Sequence, residues 1–186
     1  MEIHIVAWNV EVIMSVCANI YFMLNNGEST MVIEFYTDGS CKGNPGNGGW
    51  ASVMVLNHEC NMVAKGRKRN TTNNAMELTA IVKSVAIGLR YIYEWRMKNA
   101  TVIINSDSAY CVNAINNKWV YNWMGNGWKT RAGEEVKNRD LWESFVDYMA
   151  QKGDTKVLFN KVKGHSGDKF NEMADKRASE AAASLK

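Results

Sequence analysis

The sequence predicts an α/β domain: short β-branched and apolar runs alternate with stretches of helical periodicity, and two predicted strands each end at an aspartate, Asp38 and Asp107. Residues 31–36 form an apolar run suited to a buried strand. It stops at Asp38, before a loop that holds the only proline, Pro45, and glycines at 39, 43, 46, 48 and 49. Lacking Cβ atoms, these glycines would let a polyanion approach the backbone and let the loop take positive φ angles. Residues 49–56 and 60–67 read as two further strands around the turn Asn57-His58-Glu59, completing a meander. Leu78, Ile81, Val82, Val85, Leu89 and Ile92 then recur at helical spacing, and Thr or Asn at 71–74 can cap that helix. Glu77 falls in its expected first turn, where a carboxylate by itself implies no more than a dipole partner. Residues 101–105 are β-branched and lead to Asp107, followed by a helix through Tyr110, Val112 and Ile115.

Trp119, Trp123 and Trp128 lie between Lys118 and Lys129, a cluster suited either to inward packing or to walling a sugar-phosphate backbone. An amphipathic helix follows over 139–151, through Leu141, Trp142, Phe145, Val146 and Met149. The last strand is expected over 156–163. Gly164-His165-Ser166-Gly167 then turns into a helix carrying Phe170, Met173, Ala174 and Ala178, with Asp175 inside it.

The 186 residues, 46% hydrophobic, suffice for one core. Residues 1–30 hold three glutamates and no Lys or Arg, so residues 31–186 set 22 basic against 16 acidic side chains. That basic excess suits a polyanionic partner. Cys17, Cys41, Cys60 and Cys111 are too far apart for a zinc site or a disulfide framework, which points to a reduced, cytoplasmic protein. The apolar stretch 12–24 is broken by Ser15 and Asn19 and is shorter than a membrane span, and residues 1–30 lack the basic start of a signal peptide. They are read as an extension of unknown role before a domain over 31–186. Met31, directly ahead of the first strand, is a candidate translation start. No dimerisation seam is evident, and a monomer is expected.

Asp38, Glu77, Asp107 and Asp175 come from two strand ends and two helices, and this topology can gather them in one crevice. Four such acids repel one another unless a cation intervenes. Oxygen donors without thiolate select Mg²⁺ or Mn²⁺, and a pair of such ions suits phosphodiester hydrolysis by water.

The segments Thr37-Asp38-Gly39-Ser40-Cys41-Lys42-Gly43-Asn44-Pro45-Gly46, Thr71-Thr72-Asn73-Asn74-Ala75-Met76-Glu77-Leu78, Ser106-Asp107-Ser108-Ala109-Tyr110 and Val162-Lys163-Gly164-His165-Ser166-Gly167, with Asn171-Glu172 and Ala174-Asp175 beyond, resemble the motifs of type 1 ribonuclease H. The match runs in order from residue 31 to the last helix. It implies the ribonuclease H-like fold, a mixed five-stranded sheet flanked by α-helices. It also implies Mg²⁺-dependent, two-metal-ion cleavage of the RNA strand of an RNA/DNA hybrid, leaving 5′-phosphate and 3′-hydroxyl ends.

By the same resemblance, Asp38, Glu77, Asp107 and Asp175 are the metal-binding acids, and His165 serves proton transfer and product release. Cys41, Asn44, Asn73 and Asn74 correspond to minor-groove contacts, where 2′-hydroxyls separate RNA from DNA. Thr72 and Asn138 correspond to residues holding a DNA-strand phosphate, and Trp119 to a residue lining the DNA-strand channel. Three departures stand out. Ala109 replaces a polar side chain. Met124-Gly125-Asn126 stands where bacterial relatives carry a basic run, which predicts a smaller salt dependence. Asn70 replaces an Arg for which the adjacent Arg69 could substitute. Two alternatives remain open at this level: a non-catalytic hybrid-binding protein, and another nuclease of the wider fold.

Overall fold

The computed structural model describes residues 4, 5 and 31–185. Among them, six strands form one sheet in the order β1-β4-β3-β2-β5-β6. The strands are β1 (His4–Ile5), β2 (Val32–Gly43), β3 (Gly46–Leu56), β4 (Glu59–Thr71), β5 (Thr101–Ser106) and β6 (Lys156–Lys161). Strands β1 to β4 pair antiparallel, whereas β2–β5 and β5–β6 are parallel. The expected five-stranded mixed sheet is present, with the two-residue β1 added along β4 opposite Ala64 and Lys65. The rest of the apolar extension, Cys17 and the stretch 12–24 included, lies outside the described residues. Among the described residues no helix is long and apolar enough to cross a membrane.

Strand β2 does not stop at Asp38. It continues to Gly43 as one arm of a long hairpin with β3, closed at the cis Asn44-Pro45 bond. Asp38 is nonetheless at an end, because Thr37–Ser106 is the last pair of the parallel β2–β5 ladder. The glycine-rich stretch is therefore strand, and most of its glycines answer to close packing. A Cβ on Gly39 would lie 2.1 Å from the Glu77 amide nitrogen, and one on Gly49 would lie 2.3 Å from the Ala178 carbonyl. Within this stretch only Gly43 uses a positive φ, +82°.

The five described helices are α1 (Asn73–Glu94), α2 (Ala109–Asn116), α3 (Trp119–Gly125), α4 (Arg139–Ala150) and α5 (Lys169–Ala183). Helix α1 covers one face of the sheet and α5 the other. Residues alternate along β2 accordingly. Ile33, Phe35 and Thr37 are fully buried, with Phe35 beside α1 at Gly88, while Tyr36 meets Phe170 of α5 at 5.5 Å between ring centroids. Trp142 and Phe145 of α4 close the core in an edge-on aromatic chain with Tyr110, Trp123 and Phe159. Each such side chain contributes about 1.5–3 kcal/mol by burial. Trp128 is also buried, so of the three clustered tryptophans only Trp119 stays well exposed, at 40%.

Candidate active site

Asp38 and Asp107 each stand one residue beyond the Thr37–Ser106 pair, on adjacent parallel strands. This is the strand-end crevice where open α/β sheets place ligands. Asp38 falls two residues past Tyr36 and so shares the α5 face, which carries Asp175. Glu77 reaches the same crevice from α1. It is the fifth residue of that helix, not in the first turn, and the bare Gly39 backbone lets α1 settle against β2 at Met76 and Glu77. The His165 loop is held close in a similar way, since a Cβ on Gly164 would meet Asp107 Oδ2 at 2.6 Å.

The resulting cleft, about 260 Å³, is lined by Asp38, Gly39, Ser40, Asn73, Glu77, Asp107, His165, Asn171, Glu172 and Asp175. All four acids and the histidine expected from the sequence therefore share one cavity. Asn73 Nδ2 donates to Glu77 Oε1 at 2.8 Å, and Ser108 Oγ donates to Glu77 Oε2 at 2.5 Å. His165, with its side chain 83% exposed and a left-handed φ of +50°, brings Nδ1 to 3.7 Å from Asp175 Oδ2. The Ser179 hydroxyl lies 3.5 Å from Asp175 Oδ1 and 3.4 Å from Ser40 Oγ.

Burial, and after it repulsion from Asp107, pushes the Asp38 carboxyl up to about 7. A hydrogen bond from the Gly39 amide opposes the rise, while Asp175 and Glu77 add to it. Burial also raises Glu77; the Ser108 and Asn73 hydrogen bonds hold it down, and Asp107 pushes it up. Among the described residues no three acids, histidines or cysteines are grouped closely enough to hold a metal ion by themselves. The cleft nevertheless fits a hard divalent cation: its acidic donors are oxygens, it opens to water, and its carboxylates disfavour one another's ionisation.

The expected substrate contacts fall into three places. Beside the acids, Asn44 Oδ1 accepts from the Asn73 amide at 3.3 Å, Cys41 Sγ donates to the Thr71 carbonyl at 3.2 Å, and Asn74 is exposed next to them. Thr72 and Asn138 line a second cleft of about 200 Å³, where Thr72 caps α1 by accepting from the Ala75 amide at 3.3 Å. Arg67, Lys68 and Asn70 line it too; Arg69, the expected substitute for a missing arginine, does not. Trp119 lies apart from both clefts on α3, with its ring 6.4 Å from Trp123.

Sequence reasoning named Ser108, Asn171 and Glu172 only within the matching motifs and gave them no role at this surface. Ser108 carried a legible signal, as an N-cap type directly after a candidate acid, and its Oγ does accept from the Cys111 amide at 3.4 Å. Asn171 sits one helical turn before Asp175, is 4% exposed, and its Oδ1 has no hydrogen-bond partner among the described residues.

Comparison with known proteins identifies the family and the fold. The RNase H family profile matches residues 30–183. A ribonuclease H of Caldicellulosiruptor saccharolyticus is 44% identical over 146 residues, covering 78% of this chain and 92% of that protein. One from Syntrophomonas wolfei is 40% identical over 153 residues, covering 82% and 97%. Among solved structures, LC9-RNase H1, described as a type 1 RNase H with the type 2 active-site motif, superposes with a TM-score of 0.63 at 26% identity, covering 85% of this chain and 75% of that one. LC11-RNase H1, solved in complex with an RNA/DNA hybrid, shares the fold with a TM-score of 0.60 at 21% identity, covering 81% and 96%. With its acids gathered at the strand ends of this sheet, the family profile matching residues 30–183 and relatives of this similarity matched over more than nine-tenths of their own length, the chain belongs to the ribonuclease H family.

Proposed function

We propose that this chain is a working endoribonuclease that hydrolyses the RNA strand of RNA/DNA hybrids, with Asp38, Glu77, Asp107 and Asp175 as its metal-binding acids. The observation that carries the reading is the meeting of these four carboxylates and His165 in one cleft. Ribonuclease H enzymes depend on a divalent metal, and Mg²⁺, bound as two ions, is the cofactor assigned here, with Mn²⁺ as a substitute. When bound, such ions offset the carboxylate repulsion, activate a water for in-line attack and stabilise the leaving 3′-oxygen. The chain's own groups hold and orient. Asn73 and Ser108 fix both oxygens of Glu77, and Gly39 and Gly164 let α1 and the His165 loop close on the acids. His165, solvent-facing beside Asp175, suits proton exchange and product departure.

Cys41, Asn44, Asn73 and Asn74 are assigned to the minor groove, Thr72 and Asn138 to a phosphate of the DNA strand, and Trp119 to the DNA-strand channel. A cytoplasmic monomer belongs to the same reading, and the free thiols of Cys41, Cys60 and Cys111 suit a reducing compartment.

The test presents an end-labelled RNA as single strand, RNA duplex and RNA/DNA hybrid, with Mg²⁺, Mn²⁺ or EDTA. Internal cuts confined to the hybrid and dependent on metal are expected. Tight hybrid binding without cleavage in either metal would reassign the chain as a binding module. Two variants probe the cleft further. His165→Ala slows turnover by about 10–100-fold with KM little changed, as for loss of a positioned proton carrier, and an unaltered kcat rejects that role. Ser108→Ala costs about 1 kcal/mol in a urea melt through the lost helix cap. It also frees Glu77 to hold its proton to higher pH, so the acid limb of the pH–rate profile moves upward; a limb that stays put removes Ser108 from the acid's support.

A further inference from the structure

We infer that Lys68 is the cation this chain presents to a DNA-strand phosphate in the cleft between the N-termini of α1 and α4. The inference rests on the hybrid-cleaving reading above and assigns a residue to it. Strand pairing decides which basic side chain of β4 reaches that cleft. Lys68 pairs with Gly48, whose Cβ would point at Met76 of α1, so Lys68 lies on the α1 face. Arg67 also borders the cleft, but it pairs with Gly49, whose Cβ would strike Ala178 and Ala182 of α5, so its side chain leaves on the opposite face. There its guanidinium is engaged, donating from Nη1 to the Ser184 carbonyl at 3.1 Å and to Ser184 Oγ at 2.8 Å. A register shift follows between Gly48–Lys68 and Gly46–Thr71, with Asn70 at a φ of +48°, and Arg69 within this bulge does not line the cleft.

Lys68 makes no ion pair or hydrogen bond among the described residues, which leaves its ammonium available to an incoming anion. Around it stand groups that recognise phosphate oxygens. The Thr72 hydroxyl uses its oxygen to cap α1 and keeps its proton to donate; Asn138 has a φ of +58° and makes no side-chain cap bond. At the start of α1 the Asn73 and Ala75 amides are already engaged by Asn44 Oδ1 and the Thr72 hydroxyl, so it is mainly the first amides of α4 that offer a helix end to an anion. One group opposes an anion, the Asp140 carboxylate on the cleft wall, so an unpaired ammonium facing it matters to the sign of the local charge.

The experiment measures steady-state cleavage of a short RNA/DNA hybrid at several salt concentrations by the wild type, Lys68→Ala, Lys68→Arg and Arg69→Ala. Matched hybrids carry single methylphosphonates along the DNA strand. Lys68→Ala should raise KM about 5–10-fold with kcat changed less, and should lower the salt slope by about 0.9, the value for one lost phosphate contact. Lys68→Arg should restore most of the affinity, and Arg69→Ala should stay within about twofold of wild type. One methylphosphonate position should raise KM for the wild type and leave Lys68→Ala unmoved. A wild-type KM in Lys68→Ala, a larger loss in Arg69→Ala, or equal sensitivity of wild type and Lys68→Ala at every methylphosphonate position would overturn the assignment while leaving the hybrid-cleaving reading intact. A wild type that cleaves no hybrid would overturn both.

Discussion

Asp38→Asn and Asp107→Asn should each reduce hybrid cleavage by about a thousandfold or more while leaving the circular dichroism spectrum and the cooperative melt in place. Both side chains sit just beyond the last pair of the parallel ladder, at the mouth of the sheet and outside its core. The amide has nearly the volume of the carboxylate, so packing around Gly39 and Gly164 is preserved. What disappears is one negative charge in the cluster proposed to hold cations. Losing several kcal/mol of transition-state charge stabilisation corresponds to that factor in rate. Asp147→Asn, on the exposed side of α4, serves as the control and should cleave as the wild type does. Retention of a tenth or more of the activity in both cleft variants would sink the four-acid assignment.

The sequence carries most of this cleft because three of its four acids stand beside a change in pattern that can be read locally, whereas Asp175, inside the last helix, carries no such mark. A β-branched run ends before Asp107, and helical periodicity starts just ahead of Glu77. Helix existence was legible for the same reason, since apolar spacing survives any error at the termini. Strand ends were not. Residues 38–43 look like a loop by composition, yet they are strand, because glycine is required there by neighbouring backbone. A local rule assigns glycine to turns, whereas the approach of Glu77 in α1 to Gly39, 38 positions away, is a tertiary fact. The fate of Arg69 was hidden likewise. Adjacency in sequence suggested that it could stand in for a missing arginine, but a bulge at Asn70 and the alternation of side chains along β4 decide which residues face the cleft. The tryptophans divide by the same logic: Trp123 and Trp128 turn to the core that Trp142 anchors, a partner no local window reveals.

In EDTA, Asp38→Asn should be the more stable protein at pH 8, by about 2 kcal/mol, and this advantage should vanish below about pH 4. The sign follows from the direction of the shift. Asp38 has an ordinary value of 3.8 and is pushed up to about 7 in the folded chain, first by burial and then by Asp107. The folded state therefore holds a proton that the unfolded chain releases, and stability falls as pH rises from about 4 to about 7. Below that window both states are protonated and nothing is lost; above it the full penalty of an ionised Asp38 among Asp107, Asp175 and Glu77 applies. The corresponding ceiling is about 4 kcal/mol, and water reaching an open cleft lowers it to about 2. An asparagine has no proton to lose, so the variant escapes the penalty. Millimolar Mg²⁺ at pH 8 should narrow or reverse the difference, because a cation that binds the folded acids stabilises the wild type by mass action and the variant less. Denaturant melts at pH 4, 6 and 8, with and without Mg²⁺, read this directly. If the wild type matches Asp38→Asn at pH 8 in EDTA, the acids of this cleft do not strain one another, and repulsion ceases to be the reason for the site to take a cation.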